Sequence, residues 1–228
     1  MFSVALVGPD GAGKTTIGRR LERTFPIPLK YVYMGDNLDA CNFLLPTTRL
    51  ARRFAHARRA RQVIGGSADR QRPVGLVAHT AAILRATIVW ANHQVAEEWF
   101  RQLLAWYYRR RGTIVLFDRH FLADYYAHDA APEGRRSSFG RRLHGLLLLR
   151  LYPRPDLVVF LDAPPAVLLA RKGEGTLQSL EARRREYPPL AGLVEHFAVV
   201  DASQPEDDVA HAVATLIARF HATRSSTR

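Results

Sequence analysis

"SVALVGPDGAGKTTIGRRL", residues 3 to 21, is the stretch on which the fold turns. Phe2 to Val7 are small or apolar and read as a short strand. A glycine-rich turn follows, then Lys14, Thr15 and Thr16. From Thr15 to Phe25 the apolar residues Ile17, Leu21 and Phe25 recur at helical spacing, which predicts an amphipathic helix. Gly8, Gly13, Lys14 and Thr15 match the pattern G-x-x-x-x-G-K-[ST]. Strand, glycine loop and helix are the setting this phosphate-loop pattern needs. Glycines let the backbone curl so that its N–H groups face phosphate oxygens, and the helix N-terminus adds partial positive charge. The pattern makes Gly8, Asp10, Gly11, Ala12, Gly13, Lys14, Thr15 and Thr16 the donor-binding candidates. Lys14 would reach the β- and γ-phosphates, and the Thr15 hydroxyl would hold Mg²⁺. The competing interpretation is a glycine turn that only caps a buried strand.

The rest of the chain bounds the possibilities. Its 228 residues suit one domain with a lid or insertion, and 47% hydrophobic residues suffice for a full core. We expect a domain over 1–222, an acceptor-binding helical region near 36–111, a lid near 171–187 and a frayed tail at 223–228. Cys41 is the single cysteine, which excludes an internal disulfide and fits a reducing cytosol. The first strand starts at once, leaving no room for a signal peptide, and no apolar run reaches spanning length. A cytoplasmic protein without a membrane partner is expected. The formal charge of +12 invites a nucleic-acid partner. However, its 33 Lys+Arg include only Lys14, Lys30 and Lys172 as lysines, and the arginines are spread along the whole chain. General arginine usage explains the charge, and no groove-reading or base-stacking module is visible.

Further strands are expected at 30–34, 113–118, 156–162 and 197–203, separated by helical patterns, the longest from about 76 to 111. Apolar strands alternating with helices predict an α/β fold, a parallel sheet with helices on both faces. Ligands of such sheets bind outside the carboxyl ends of the strands. That edge gathers the glycine loop, "GDN" at 35–37, "DRH" at 118–120 and Asp162. Asp118 could hold Mg²⁺ or take a proton from an attacking hydroxyl. Arg119 could pair bidentately with a phosphate. The basic, glycine-interrupted run "ARKGEGTLQSLEARRREY", 170–187, looks like a mobile lid. Its Arg171, Arg183 and Arg184 are candidates to stabilise a moving phosphoryl group. Each of these residues has a plainer reading as a cap, an ion pair or a solvated helix face.

Four segments, "GPDGAGKTT", "VLFDRH", "PDLVVFLDAPPAVLLARK" and "LEARRREY", resemble the thymidylate kinase branch of the P-loop kinases, which neighbours the deoxynucleoside kinases. They occur in the family's order and frame nearly the whole chain. The resemblance implies a three-layer P-loop kinase fold with a five-stranded parallel sheet, ATP as donor, Mg²⁺ and a short lid. It also implies that Asp10 reaches an acceptor hydroxyl. The loop lacks an arginine of its own, as in the subgroup that supplies its catalytic arginine from the lid. Three segments depart from the family. "YMGDN" stands where an Arg-Glu-Pro-Gly-type segment is usual, "WANHQ" where Ala-Asp-Arg is usual, and "HFLADYYAH" where a Ser-x-x-Ala-Tyr-Gln-like run is usual. All fall on the acceptor side. Asp10, Asp36, Arg85, Arg119 and His120 are the acceptor-binding candidates, with Tyr125 and His128 nearby.

The leading expectation is an ATP-dependent kinase of a small-molecule acceptor, a nucleotide or nucleoside. A kinase of another metabolite, a kinase of nucleic-acid ends, and a nucleotide-sensing module remain as alternatives. The tryptophans Trp90, Trp99 and Trp106 read as a core stripe, and the helix from 76 to 111 offers a surface for a second copy of the chain.

Overall fold

The computed structural model describes residues 1–35, 45, 97–120 and 153–226. Asp36, Arg85, Tyr125, His128, Trp90 and most of the long helix expected at 76–111 lie outside the described residues. The chain divides into two compact units, Met1–Cys41 with Ala105–Arg228, and Asn42–Leu104. All the architecture that positions the site belongs to the first.

Every residue of Ser3–Val7 (β1) is buried, so this strand needs neighbours on both edges and cover on both faces. It has them. Ile114–Asp118 (β3) and Leu157–Asp162 (β4) flank it, with Leu29–Tyr33 (β2) and Phe197–Asp201 (β5) outside them. The described strands form one parallel five-stranded sheet in the order β2-β3-β1-β4-β5. The α/β fold expected from the alternation is therefore present. Register sets the working edge. Leu6 pairs with Asp118, Tyr33 with Asp118, and Asp162 with Asp201, so the acidic strand ends line up beside the loop that leaves β1.

Lys14–Thr24 (α1) packs on β1, β2 and β3 through Ile17, Gly18 and Leu21, one face of a 3.6-residue repeat. It stops at Phe25, whose N–H still reaches Leu21 O before Pro26 and Pro28 prevent continuation. Pro165–Lys172 (α3) starts on a proline at its first position and ends at Gly173, in the left-handed region at φ 68°. Leu177–Arg185 (α4) is opened by a reciprocal Thr176–Ser179 capping box. Glu206–Ser226 (α5) carries Glu206, Asp207 and Asp208 in its first turn, where negative charge suits the helix dipole. Its Val213 and Ile217 are wholly buried in the core formed with β1, β4 and α1.

Two expectations differ. The last helix runs through Ser226, where a frayed tail from residue 223 was expected. Hydroxyls of Thr223, Ser225 and Ser226 bond back to carbonyls one turn earlier, and Arg224 pairs with Asp156. Trp106, on Glu97–Arg110 (α2), is 55% exposed beneath the Arg110 guanidinium and is no core residue. Ala105 is the buried neighbour, and one helical step rotates a side chain by about 100°.

Asp156 ties the other end of the sheet together. Its Oδ2 accepts the Ser3 N–H and hydroxyl at 2.8 Å each, Arg224 pairs with Oδ1, and Arg109 lies 3.4 Å from Oδ2. Burial pushes this carboxyl up, but the Ser3 hydrogen bonds and the two arginines outweigh it and hold it below the usual range. A lowered carboxyl stabilises the fold above its unfolded value, about 3.9, and that contribution is lost as pH falls through the folded value. Asp156→Asn is expected to cost about 1–3 kcal/mol at pH 7. In urea titrations at stepped pH it should also lose less further stability than the wild type below about pH 4. Parallel acid limbs in both proteins would contradict this.

Candidate active site

The loop from Gly8 to Gly13 leaves β1 and turns directly into α1. Gly8, Gly11 and Gly13 all have positive φ, at 147°, 89° and 86°. At Gly8 and Gly11 space forbids a side chain as well. A Cβ on Gly8 would lie 2.6 Å from Leu161 O, and one on Gly11 2.9 Å from Leu168 O. The loop thus lies flush on β4 and α3, and the first turn of α1 faces outward from it.

Lys14 is buried, and its Nζ donates to Gly8 O at 2.7 Å and Pro9 O at 2.8 Å. Its charge therefore sits inside the loop, held there by main-chain dipoles. Thr15 Oγ1 donates to Asp118 Oδ2 at 2.5 Å, and Tyr31 OH donates to the same oxygen at 2.7 Å. Asp118 is fully buried, and its Oδ1 has no hydrogen-bond partner among the described residues. Thr15 lines the cleft in front of the loop, with Asp118 bonded behind it.

Arg119 follows with φ 65°, a left-handed conformation unusual for a residue with a side chain. Its N–H is held by Leu6 O at 3.1 Å, and its guanidinium pairs with Asp10. Asp10 also meets Arg183 at 3.2 Å and Lys172 at 3.6 Å. Partial burial pushes the Asp10 carboxyl up, but Arg119, Lys14 and Lys172 outweigh it and hold it below the usual carboxylate range. One carboxylate on the loop therefore collects cations from α3, α4 and the residue after β3.

The cleft has a volume of about 680 Å³. The loop forms its floor, with Tyr33 and Arg119 on one side and Arg171, Lys172 and Gln204 on the other. Arg171 donates to Ala202 O at 2.7 Å, joining α3 to the turn after β5. Arg184 is placed differently. It forks onto Asp162, Nε to Oδ1 at 2.5 Å and Nη2 to Oδ2 at 2.8 Å, outside the cleft. His120 is also away from the cleft. It is buried edge-on to Phe117, with centroids 5.3 Å apart, and burial drives its imidazole down to about 3.

The structure thus brings together Asp10, Gly11, Ala12, Gly13, Lys14, Thr15, Thr16, Arg119 and Arg171 around one space, with Gly8 and Arg183 packed against it. Tyr31 and Lys172 were absent from the sequence candidates. Lys172 had one signal, its rarity. Tyr31 had only its alternation within "KYVYM", which reveals a face and not a partner.

A divalent cation fits the Thr15 corner. The Thr15 hydroxyl hydrogen is committed to Asp118, so its lone pairs are left for a cation, and Asp118 Oδ1 is a buried acceptor unsatisfied among the described residues. Among the described residues no cluster of three His, Cys, Asp or Glu could hold a metal alone. That suits Mg²⁺, which is usually held by few protein oxygens together with substrate phosphates. Among the described residues no helix is long and apolar enough to cross a membrane.

The Arg184 fork can be tested apart from chemistry. Arg184→Lys keeps the charge and loses the fork. Proteolytic cleavage within 171–187 is expected to quicken roughly fivefold, the effect of about 1 kcal/mol. Equal rates would mean that the pair does not hold the segment.

No family model matches the chain. Thymidylate kinases from three strains of Xanthomonas oryzae pv. oryzae are each 30% identical to it over 227 residues. The match covers 92% of this chain and 81% of each relative. Together with the sheet order and the glycine loop, this similarity shows that the chain belongs to the thymidylate kinase family of P-loop kinases.

Proposed function

We propose that this chain is an ATP-dependent phosphotransferase that moves the γ-phosphoryl of ATP to a small nucleotide or nucleoside acceptor. The observation that carries this reading is the gathering of Lys14, Thr15 and Arg119 around one cleft floored by the glycine loop. Family membership supports the same reading, since the relatives are thymidylate kinases.

The chain's own residues supply position and charge. Backbone N–H groups at the start of α1 take the donor phosphates. Phosphate oxygens are stronger partners for an ammonium than the Gly8 and Pro9 carbonyls, so Lys14 exchanges the second for the first. Thr15, with Asp118 and Tyr31 behind it, would hold Mg²⁺. The ion would supply charge neutralisation at the phosphates and a template for in-line transfer. The Pγ–O bond to the leaving diphosphate breaks as a bond from an acceptor oxygen to Pγ forms. Arg119 and the α3–α4 segment, acting as a lid with Arg171, Lys172 and Arg183, place positive charge around the equatorial oxygens. Arg119, Lys172 and Arg183 now rest on Asp10, and Arg171 on Ala202 O. Once phosphates draw them off, the Asp10 carboxylate is released to accept a hydrogen bond from an acceptor hydroxyl.

Purified protein with ATP and Mg²⁺ should be offered nucleoside monophosphates, thymidylate included, then nucleosides, sugars and short oligonucleotides, with products read by mass spectrometry. A phosphorylated nucleotide or nucleoside is expected. Lys14→Ala should lower turnover at least about 100-fold while keeping the unfolding temperature. Wild-type ATP consumption by that variant, or no product from any acceptor, would overturn the proposal.

A further inference from the structure

Gly18 is a glycine in the middle of α1, where it costs about 1 kcal/mol against alanine. No backbone requirement explains it, because only the loop glycines before it have positive φ in this region. The explanation is Tyr31. A Cβ at Gly18 would fall 2.6 Å from Cδ2 and 2.7 Å from Cε2 of the Tyr31 ring. The helix has therefore given up a side chain so that an aromatic ring from β2 can lie beneath it. That ring is 1% exposed, and its hydroxyl reaches Asp118 Oδ2 at 2.7 Å.

A phenylalanine would fill the same space. The hydroxyl adds something that packing does not need. Asp118 Oδ2 accepts from two hydroxyls at once, Thr15 at 2.5 Å and Tyr31 at 2.7 Å. Two donors on one oxygen fix the rotation of the carboxylate. They also leave Oδ1 as a buried acceptor with no partner among the described residues. Fixing Asp118 in turn fixes Thr15, whose hydrogen points to it and whose lone pairs then face the cleft.

We infer that Tyr31 is a positioning residue of the metal site. It holds Asp118, and through Asp118 the Thr15 hydroxyl, in the one arrangement ready for a divalent cation carried by nucleotide phosphates. The inference rests on the reading of the cleft as an ATP·Mg²⁺ site. Burial, and after it the Asp118 carboxylate, push the Tyr31 phenol up, which keeps it protonated and donating at working pH.

Calorimetric titration of ATP, once with Mg²⁺ and once with EDTA, tests this without turnover. Tyr31→Phe is expected to match the wild type within twofold in EDTA. It should lose about tenfold of the affinity gained from Mg²⁺, the size of one hydrogen bond to a charged group. Gly18→Ala keeps the hydroxyl but displaces the ring, and should lose Mg²⁺-dependent affinity in the same way. If Tyr31→Phe does not fold, Gly18→Ala alone decides. An unchanged Mg²⁺ gain in the folded variants overturns the inference and leaves the ATP site standing. Equal losses with and without Mg²⁺ also overturn it, because they show a packing role. A wild-type protein that binds no ATP in either condition removes the site reading, and the inference with it.

Discussion

The strand β1 ends against main chain. Gly8 lies so near the Leu161 carbonyl, and Gly11 so near the Leu168 carbonyl, that a methyl group fits at neither. This close approach is the constraint from which the site follows. It presses the loop onto β4 and α3 and fixes where α1 begins. Because α1 begins there, Lys14 curls back onto Gly8 and Pro9, and Thr15 lands beside Asp118 on the neighbouring strand. The sheet register completes the placement by setting Leu6 and Tyr33 opposite Asp118. A side chain at Gly8 would unseat each of these contacts in turn.

Electrostatics acts on that frame. The chain is strongly basic, and its site concentrates cations that would repel one another. Asp10 holds them together, accepting Arg119, Arg183 and Lys172 on one carboxylate. It is an internal anion in the cleft where phosphates are proposed to bind. Arg184 is separate because Asp162, at the end of β4, satisfies its fork completely. Two adjacent arginines on one short helix thus differ in kind. Arg183 is shared with the loop, and Arg184 fastens α4 to the sheet.

Sheet, loop and helix α1 were legible in the sequence because each rests on a local rule. Buried parallel strands are apolar throughout, as in "TIVLFD" and "DLVVFLD". The loop needs glycines at fixed spacing, and α1 repeats its apolar residues every three or four positions. What was not legible depends on geometry across strands. Nothing near Tyr31 in the chain names Asp118, 87 residues away, as its partner. Nothing in "EARRRE" separates Arg183 from Arg184, since the difference lies in which carboxylate each can reach. His120 follows "DR" and was a candidate for a ligand, but two residues past the strand end its side chain is buried, which no local pattern reveals. Trp106 failed for the opposite reason: spacing defines a helix face without saying whether that face is covered.

The loop is proposed as a donor-phosphate site whose lysine waits on its own carbonyls. The most direct measurement is a crystal structure with a non-hydrolysable ATP analogue and Mg²⁺. The expected result has the β- and γ-phosphates against the N–H groups of Gly13 to Thr16. Lys14 Nζ should have moved from Gly8 O and Pro9 O onto phosphate oxygen, with the metal on the Thr15 hydroxyl. Nucleotide bound elsewhere, or Lys14 still on both carbonyls beneath an ordered triphosphate, would contradict it.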